Sequence, residues 1–386
     1  MSKLKRFNLL ILNIVLYWVS KFIPKNDNIW IFGAWMGDKY ADNSKYLFNY
    51  VTKMHKEIKC IWLTNSDNIV TELREKGFWA YKRFSCKAIF YALRARVSVF
   101  THSNSSDNMA FMNNKSTKLV QLWHGMPFKK IGFDDTKYTT KDSSWIKNKV
   151  REIFFPFLIE NYDLVCASSE KDGEKFRSAF RNKNVAITGY ARNDSLSMNK
   201  VTTVSRIVYL PTFRDQIGSE VDLFTSFGFD VKKWQKELDS KNIKLEIKMH
   251  PVNKPSEEVV KQINRAKNIT FLDDIDITEY LNNVDMLITD YSSVYFDFLK
   301  TGKPIIFAPF DIDDYLRKDR ELYYPYSEVT PGPSCKNWDD VLKWISTFYN
   351  NTSLYLNERE CIGKKFIKYH DFENCNRIFT AIKDII

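Results

Sequence analysis

Residues 284–304 read VDMLITDYSSVYFDFLKTGKP. Met286, Leu287, Ile288 and Thr289 form a short apolar, β-rich run, and Asp290-Tyr291 turns the chain behind it. Ser292-Ser293 are helix-capping residues in front of a segment whose apolar positions Val294, Phe298 and Leu299 share one helical face. Gly302-Lys303-Pro304 stops that helix, and Ile305 begins another β-branched run. Strand, turn, helix, stop and strand is the grammar of a βαβ unit, which predicts a parallel sheet with helices on both faces.

Outward from this stretch the same alternation recurs. Strands are expected at 29–32, 58–63, 97–101, 119–123, 164–167 and 185–188, then at 206–210, 245–249, 269–271, 286–289 and 305–307, with helices such as 44–55 and 85–93 between them. A polar stretch, 192–205, separates the two series and reads as a hinge. The fold class is therefore α/β with two doubly wound, Rossmann-type domains, 26–195 and 196–350, forming two lobes. Helices at 338–349 and 358–386 follow, and 351–386 is expected to return to the first domain. No Gly-x-Gly-x-x-Gly and no Gly-x-x-x-x-Gly-Lys-Ser/Thr occurs, which removes support for a dinucleotide enzyme or a P-loop NTPase.

The 58 Lys+Arg against 47 Asp+Glu give a net charge of +11 and favour an anionic partner. The basic residues are dispersed and no RNP, zinc-finger or helix-turn-helix signature appears, so no nucleic acid is expected as partner. Six cysteines lie far apart without a CxxC pair, as free thiols in a reducing cytosol would. Residues 1–25 carry Lys3, Lys5 and Arg6, an apolar run from Phe7 to Val19 interrupted by Asn8 and Asn13, then Lys21 and Lys25. No small-residue cleavage site follows, and the run is short of the roughly 20 apolar residues of a bilayer span. With Tyr17 and Trp18 suited to an interface, the expectation is a helix lying in the cytoplasmic leaflet; the alternative is a helix docked on the protein's own core.

Ligands of doubly wound domains bind at the carboxyl ends of the strands, so motifs there are the candidates. In TKLVQLWHGMPFKKIGFDD, residues 117–135, His124 ends the first domain's apolar run, and Gly125 and Pro127 form a turn that would present its ring as a base. His250-Pro251 ends strand 245–249 in the same manner in the second domain. Ser292-Ser293 opens a helix whose free N–H groups suit a phosphate. Arg214 in VYLPTFRD and Arg192 in TGYARND follow strands and could grip a phosphate or carboxylate in bidentate fashion. Asp311-x-Asp313 is too weak a pattern for a metal site, so no metal or other cofactor is expected.

QLWHGMPFKKIG, GYARND, YLPTFRD, KMHP, TDYSSVYFDF and PGP, in this order between about 33 and 333, resemble the CDP-glycerol glycerophosphotransferase family of teichoic-acid synthesis. The resemblance implies a fold of the GT-B kind, association with the cytoplasmic face of the membrane, and transfer of a polyol phosphate from CDP-glycerol or CDP-ribitol. The acceptor would be a hydroxyl of a lipid-linked saccharide or growing polymer, and CMP would be released. It makes His124 and His250 catalytic, assigns the donor to Arg214, Asp290, Ser292, Ser293, Pro251 and Thr212, and assigns acceptor or phosphate contacts to Trp123, Gly125, Lys129 and Arg192. Met126, where a small residue is expected, and Ala191, where proline is usual, depart from the pattern. A basic apolar helix directly before the catalytic region suits a short, primase-like member. The competing readings are a GT-B glycosyltransferase using a nucleotide sugar, distinguished by its donor, and an inactive membrane adaptor, which the intact histidines and serines oppose.

Overall fold

A computed structural model describes residues 3–135, 149, 154–199, 201–212, 214, 222–249, 255–273, 275–318 and 321–386. The chain divides into two compact units, Met1–His124 with Gly132–Asp194 and Lys368–Ile386, and Gly125–Ile131 with Ser195–Ile367.

The first unit is built on seven parallel strands, β1 (Asn26–Phe32), β2 (Lys59–Thr64), β3 (Trp79–Lys82), β4 (Ala95–Phe100), β5 (Lys118–Gln121), β6 (Leu164–Ala167) and β7 (Val185–Ile187), in the order β3-β2-β1-β4-β5-β6-β7. Successive residues of β1 feed opposite faces: Trp30 and Phe32 pack with Leu47, Phe48 and Ile378, whereas Ile29 and Ile31 pack with Ala88, Ala92 and Tyr17. Helices Asp42–Met54 and Asn374–Lys383 thus cover one face, and Cys86–Arg94 and Lys3–Ser20 the other. The second unit carries β8 (Arg206–Leu210), β9 (Lys244–Ile247), β10 (Ile269–Phe271), β11 (Met286–Thr289) and β12 (Ile305–Phe307), all parallel, in the order β10-β9-β8-β11-β12. Trp234 and Trp338, both fully buried, anchor the helices on one face of it.

In each sheet the strand order reverses once, between β1 and β4 and between β8 and β11. The carboxyl ends at these reversals are where an open parallel sheet leaves a crevice for a ligand.

The sequence reading omits β3, an edge strand with only Ala80 and Tyr81 buried. It also runs 119–123 two residues too far, because β5 stops at Gln121. Of the C-terminal helices, Leu356–Phe366 stays in the second unit, where Phe366 meets Phe296 at 4.8 Å and Arg359 Nε donates to the Gly302 carbonyl. Asn374–Lys383 packs on the first sheet, with Phe379 stacked on Trp30 at 5.5 Å. The N-terminal helix, Lys3–Ser20, docks one face: Asn13 Oδ1 accepts from the Phe111 amide at 3.1 Å, and Leu16, Tyr17 and Ser20 are buried. Its other face exposes Leu4, Phe7, Ile11, Val15 and Trp18. No helix among the described residues is long and apolar enough to cross a membrane. All six cysteines are free.

Candidate functional site

In the first unit the corner after β5 forces the backbone into unusual conformations: Trp123 has φ 54° and Gly125 has φ 132°. A left-handed tryptophan is costly and persists only where its surroundings hold it. Here Asn43 Nδ2 donates to the Trp123 carbonyl at 2.9 Å, the Trp123 amide donates to Gln121 Oε1 at 2.9 Å, and Arg192 Nη1 donates to the His124 carbonyl at 3.1 Å. Arg192 Nη1 also pairs with Asp42 Oδ1 at 2.7 Å, and the Arg192 amide donates to Asn43 Oδ1. Arg192 is therefore a buried clamp on the histidine corner. Its charge is paired with that of the buried Asp42. Asp42 and Asn43, which the sequence reading passed over, are the other half of the clamp. Their signal is an Asp-Asn pair opening the first helix after β1.

His124 Nδ1 lies 3.0 Å from the Thr101 carbonyl. A carbonyl only accepts, so Nδ1 carries the proton and Nε2 keeps its lone pair, the tautomer a base requires. Burial, and after it the neighbouring His102, push the imidazolium form down to about 4, so the ring is neutral at neutral pH. The ring is sandwiched, 4.2 Å from Trp123 and 4.4 Å from His102 with only 12° between the two imidazole planes. His102 is a second histidine at the site that sequence reasoning missed, although it stands just past β4 as His124 stands past β5. Its amide is fixed by the fully buried Asp107, whose Oδ2 accepts from His102 and Thr101 at 2.9 Å each and whose Oδ1 accepts from Met36 at 2.8 Å.

In the second unit, Arg214 follows β8 and is also consumed internally. Nε and Nη2 bond Asp311 at 2.7 and 2.9 Å, Nη2 bonds Asp290 Oδ2 at 2.7 Å, and Nη1 bonds the Thr212 carbonyl at 2.7 Å. Arg214 is exposed to only 1% and neutralises two buried aspartates. Burial opposes ionisation of Asp311, but Arg214 and the Tyr291 hydroxyl hold its carboxyl below the usual range. Asp311 is therefore paired with Arg214. Asp290 Oδ1 accepts the Thr212 and Tyr291 amides, which shapes the turns after β8 and β11. Asp290 is fully buried, and Thr212 Oγ1 is buried with no hydrogen-bond partner among the described residues.

Ser292 and Ser293 remain partly exposed in front of helix Val294–Leu299. Ser293 already has helical backbone angles and its hydroxyl makes no cap, while Ser292 Oγ lies 3.4 Å from the Val294 amide. Lys129, expected with the acceptor set, belongs to this second unit, its Nζ 5.3 Å from the ring centre of Tyr315. Tyr315 in turn stacks on Tyr291, the residue before the serines, at 4.1 Å. Met126 is buried in this unit. In the PGP motif any side chain at Gly332 would sit 2.3 Å from the Ile305 carbonyl, so the motif seals the edge of β12. His250 and Pro251 lie outside the described residues.

The family CDP-Glycerol:Poly(glycerophosphate) glycerophosphotransferase matches residues 15–384. The teichoic acid glycerol-phosphate transferase of Staphylococcus aureus is 26% identical, over 95% of this chain and 96% of that protein. The teichoic acid poly(glycerol phosphate) polymerase of Bacillus subtilis is 27% identical, over 86% of this chain but 45% of its own length, so the chain spans less than half of that relative. The wall teichoic acid polymerase TagF shares the fold, with a TM-score of 0.73 at 20% identity over all of this chain and 99% of that one. A family match over nearly the whole chain, on two parallel α/β units of the GT-B kind, establishes that the chain belongs to the CDP-glycerol:poly(glycerophosphate) glycerophosphotransferase family.

Proposed function

We propose that the chain transfers glycerol phosphate, or ribitol phosphate, from the CDP-linked polyol to a hydroxyl of a lipid-linked saccharide or growing polymer, releasing CMP. Relatives are named for both polyols, including a teichoic acid poly(ribitol-phosphate) polymerase 31% identical over 60% of this chain. The observation that carries the reading is the 3.0 Å contact of His124 Nδ1 with the Thr101 carbonyl, which assigns the proton to Nδ1 and leaves Nε2 as the base.

In the step so assigned, the acceptor hydroxyl attacks the β-phosphorus while its proton passes to His124 Nε2. The bond from that phosphorus to the bridging oxygen breaks, and CMP departs with the oxygen and its electrons. Ser292, Ser293 and Lys129 of the second unit, with His250, supply hydrogen bonds and positive charge to the diphosphate. The charge this supplies is the protein's own, so the reaction is expected to survive chelation of divalent metals. Work at the cytoplasmic face of the membrane is supported by the N-terminal helix, whose outward residues Leu4, Phe7, Ile11, Val15 and Trp18 follow helical spacing, with Lys21 Nζ 3.8 Å from the Trp18 ring.

The test is a donor panel. CDP-glycerol, CDP-ribitol and UDP-sugars are offered with a lipid-linked saccharide, and CMP or UDP release and product mass are followed. CMP release with a product heavier by one polyol phosphate supports the reading; UDP release with no CMP overturns it in favour of a glycosyltransferase.

A further inference from the structure

Trp35 follows β1 and His102 follows β4, so the two flank the strand reversal of the first unit. The chain between β1 and the next helix takes three consecutive left-handed residues, Trp35 at φ 48°, Met36 at 56° and Gly37 at 84°. Two of these are not glycine, and such strain lasts only under external restraint and concentrates at ligand clamps. The restraint is specific. Asp107 Oδ1 takes the Met36 amide, the Met36 carbonyl accepts from Asn65 Nδ2 at 2.9 Å and Arg83 Nη1 at 3.2 Å, and Gly33 has no room for a side chain against Asp107 and Asn108.

All this structure ends in holding an indole out of the core. Trp35 is 41% exposed and Met36 54%. The Trp35 ring lies 5.0 Å from His102, whose other neighbour in the stack is His124. One carboxylate, Asp107, sets both the Met36 amide and the His102 amide, so the height of the indole relative to the histidine pair is fixed.

Building on the transfer reading above, we propose that Trp35 is the platform for the acceptor and that its ligand is a saccharide ring. A pyranose has an apolar C–H face and a hydroxyl edge. An exposed indole covers the face and leaves the edge toward the histidine stack. A polyol-phosphate chain has no such face, so Trp35 selects a saccharide acceptor over a glycerol-phosphate chain.

The experiment compares wild type with Trp35→Ala, Trp35→Phe and Trp35→Leu, the last keeping apolar bulk in the loop but losing the flat face. Two water-soluble probes are used, a short-alkyl diphosphate-linked disaccharide and a glycerol-phosphate oligomer, so membrane contact plays no part. Disaccharide binding is measured calorimetrically without donor, and KM for donor and acceptor with it. The expected result is a loss of disaccharide affinity of about tenfold in the Ala and Leu variants, recovery in Phe, an unchanged KM for CDP-glycerol and a smaller effect on the oligomer. Unchanged disaccharide affinity in Trp35→Leu, or donor and acceptor KM rising together, overturns the platform. If wild type binds the disaccharide but releases no CMP from either CDP-polyol, the transfer reading falls and the binding arm alone decides the platform.

Discussion

Arg214→Met tests whether this arginine is a strut or a substrate ligand. The guanidinium is 1% exposed and within 2.7 Å of carboxylate oxygens of both Asp290 and Asp311, themselves buried. At that separation and an effective dielectric near 20, each attraction is about 6 kcal/mol. Desolvation of the three groups offsets much of this, and removing one partner of a buried pair costs about 3–5 kcal/mol because the remaining charge has no counterion. For a unit of this size, about 2–4 °C is lost per kcal/mol, so the melting midpoint should fall by roughly 10 °C. Unfolding of this unit is read from the fluorescence of Trp234 and Trp338, both fully buried. The pH dependence gives an independent sign. In wild type the Asp311 carboxyl is held below its ordinary value, so its contribution is present above that ordinary value and lost as pH falls through the lower, folded one. In the variant, buried aspartates without a cation bind protons more tightly folded than unfolded, so stability should rise as pH falls from 7 toward 5. Adding Asp311→Asn should restore about half of the loss. A variant within about 1 kcal/mol of wild type, with only its KM for the CDP-polyol raised, would refute the strut.

The rate of CMP release should show no loss from protonation of His124 as pH falls through 6.5, because its folded pKa lies near 4. Its stability contribution runs the same way: between about 6.5 and 4 the unfolded chain binds more protons at this ring, so stability drops as pH falls through that window, and a His124→Gln variant should lose that slope. Asn43→Ala removes the side chain that fixes the Trp123 carbonyl and the Arg192 amide; about 1–3 kcal/mol of stability should go with it, together with turnover but not CDP-polyol affinity. Gly125→Ala places a β-carbon at φ 132°, and a turnover near wild type would show that the corner conformation is dispensable. Replacing Phe7, Ile11 and Trp18 by Glu should abolish sedimentation with anionic vesicles while transfer to a water-soluble acceptor persists; unchanged sedimentation would remove the helix from the membrane contact.

The fold was legible because strands buried on both faces appear as continuous apolar runs, and the runs 286–289 and 305–307 coincide with β11 and β12. What stayed hidden follows from the same physics. β3 has two buried residues and no run to detect. The end of β5 is set by a left-handed tryptophan, which composition does not announce. For residues 1–25, the docked alternative describes one face of the helix, on which Asn13, Tyr17 and Ser20 turn inward, while Phe7, Ile11 and Trp18 on the other face are exposed. Arg192 and Arg214 look like ligand grips locally, but their partners lie 150, 76 and 97 positions away, and no local pattern tells an arginine seeking phosphate from one neutralising a distant aspartate.

In each unit a fully buried aspartate beside the strand reversal accepts from backbone amides across it: Asp107 from Met36, Thr101 and His102, and Asp290, through Oδ1, from Thr212 and Tyr291. A carboxylate that accepts from amides on two loops fixes their spacing, which a hydrophobic contact, lacking direction, cannot do. The residues left partly exposed beside these anchors are Trp35, His102 and His124 in one unit and Ser292 and Ser293 in the other. The buried aspartates therefore read as scaffold, and the more exposed polar and aromatic positions beside them as the candidates to meet substrate. On that division, Asp107→Asn should disturb the His102–His124 stack and lower turnover with both acceptor types alike, whereas the Trp35 variants should discriminate between them.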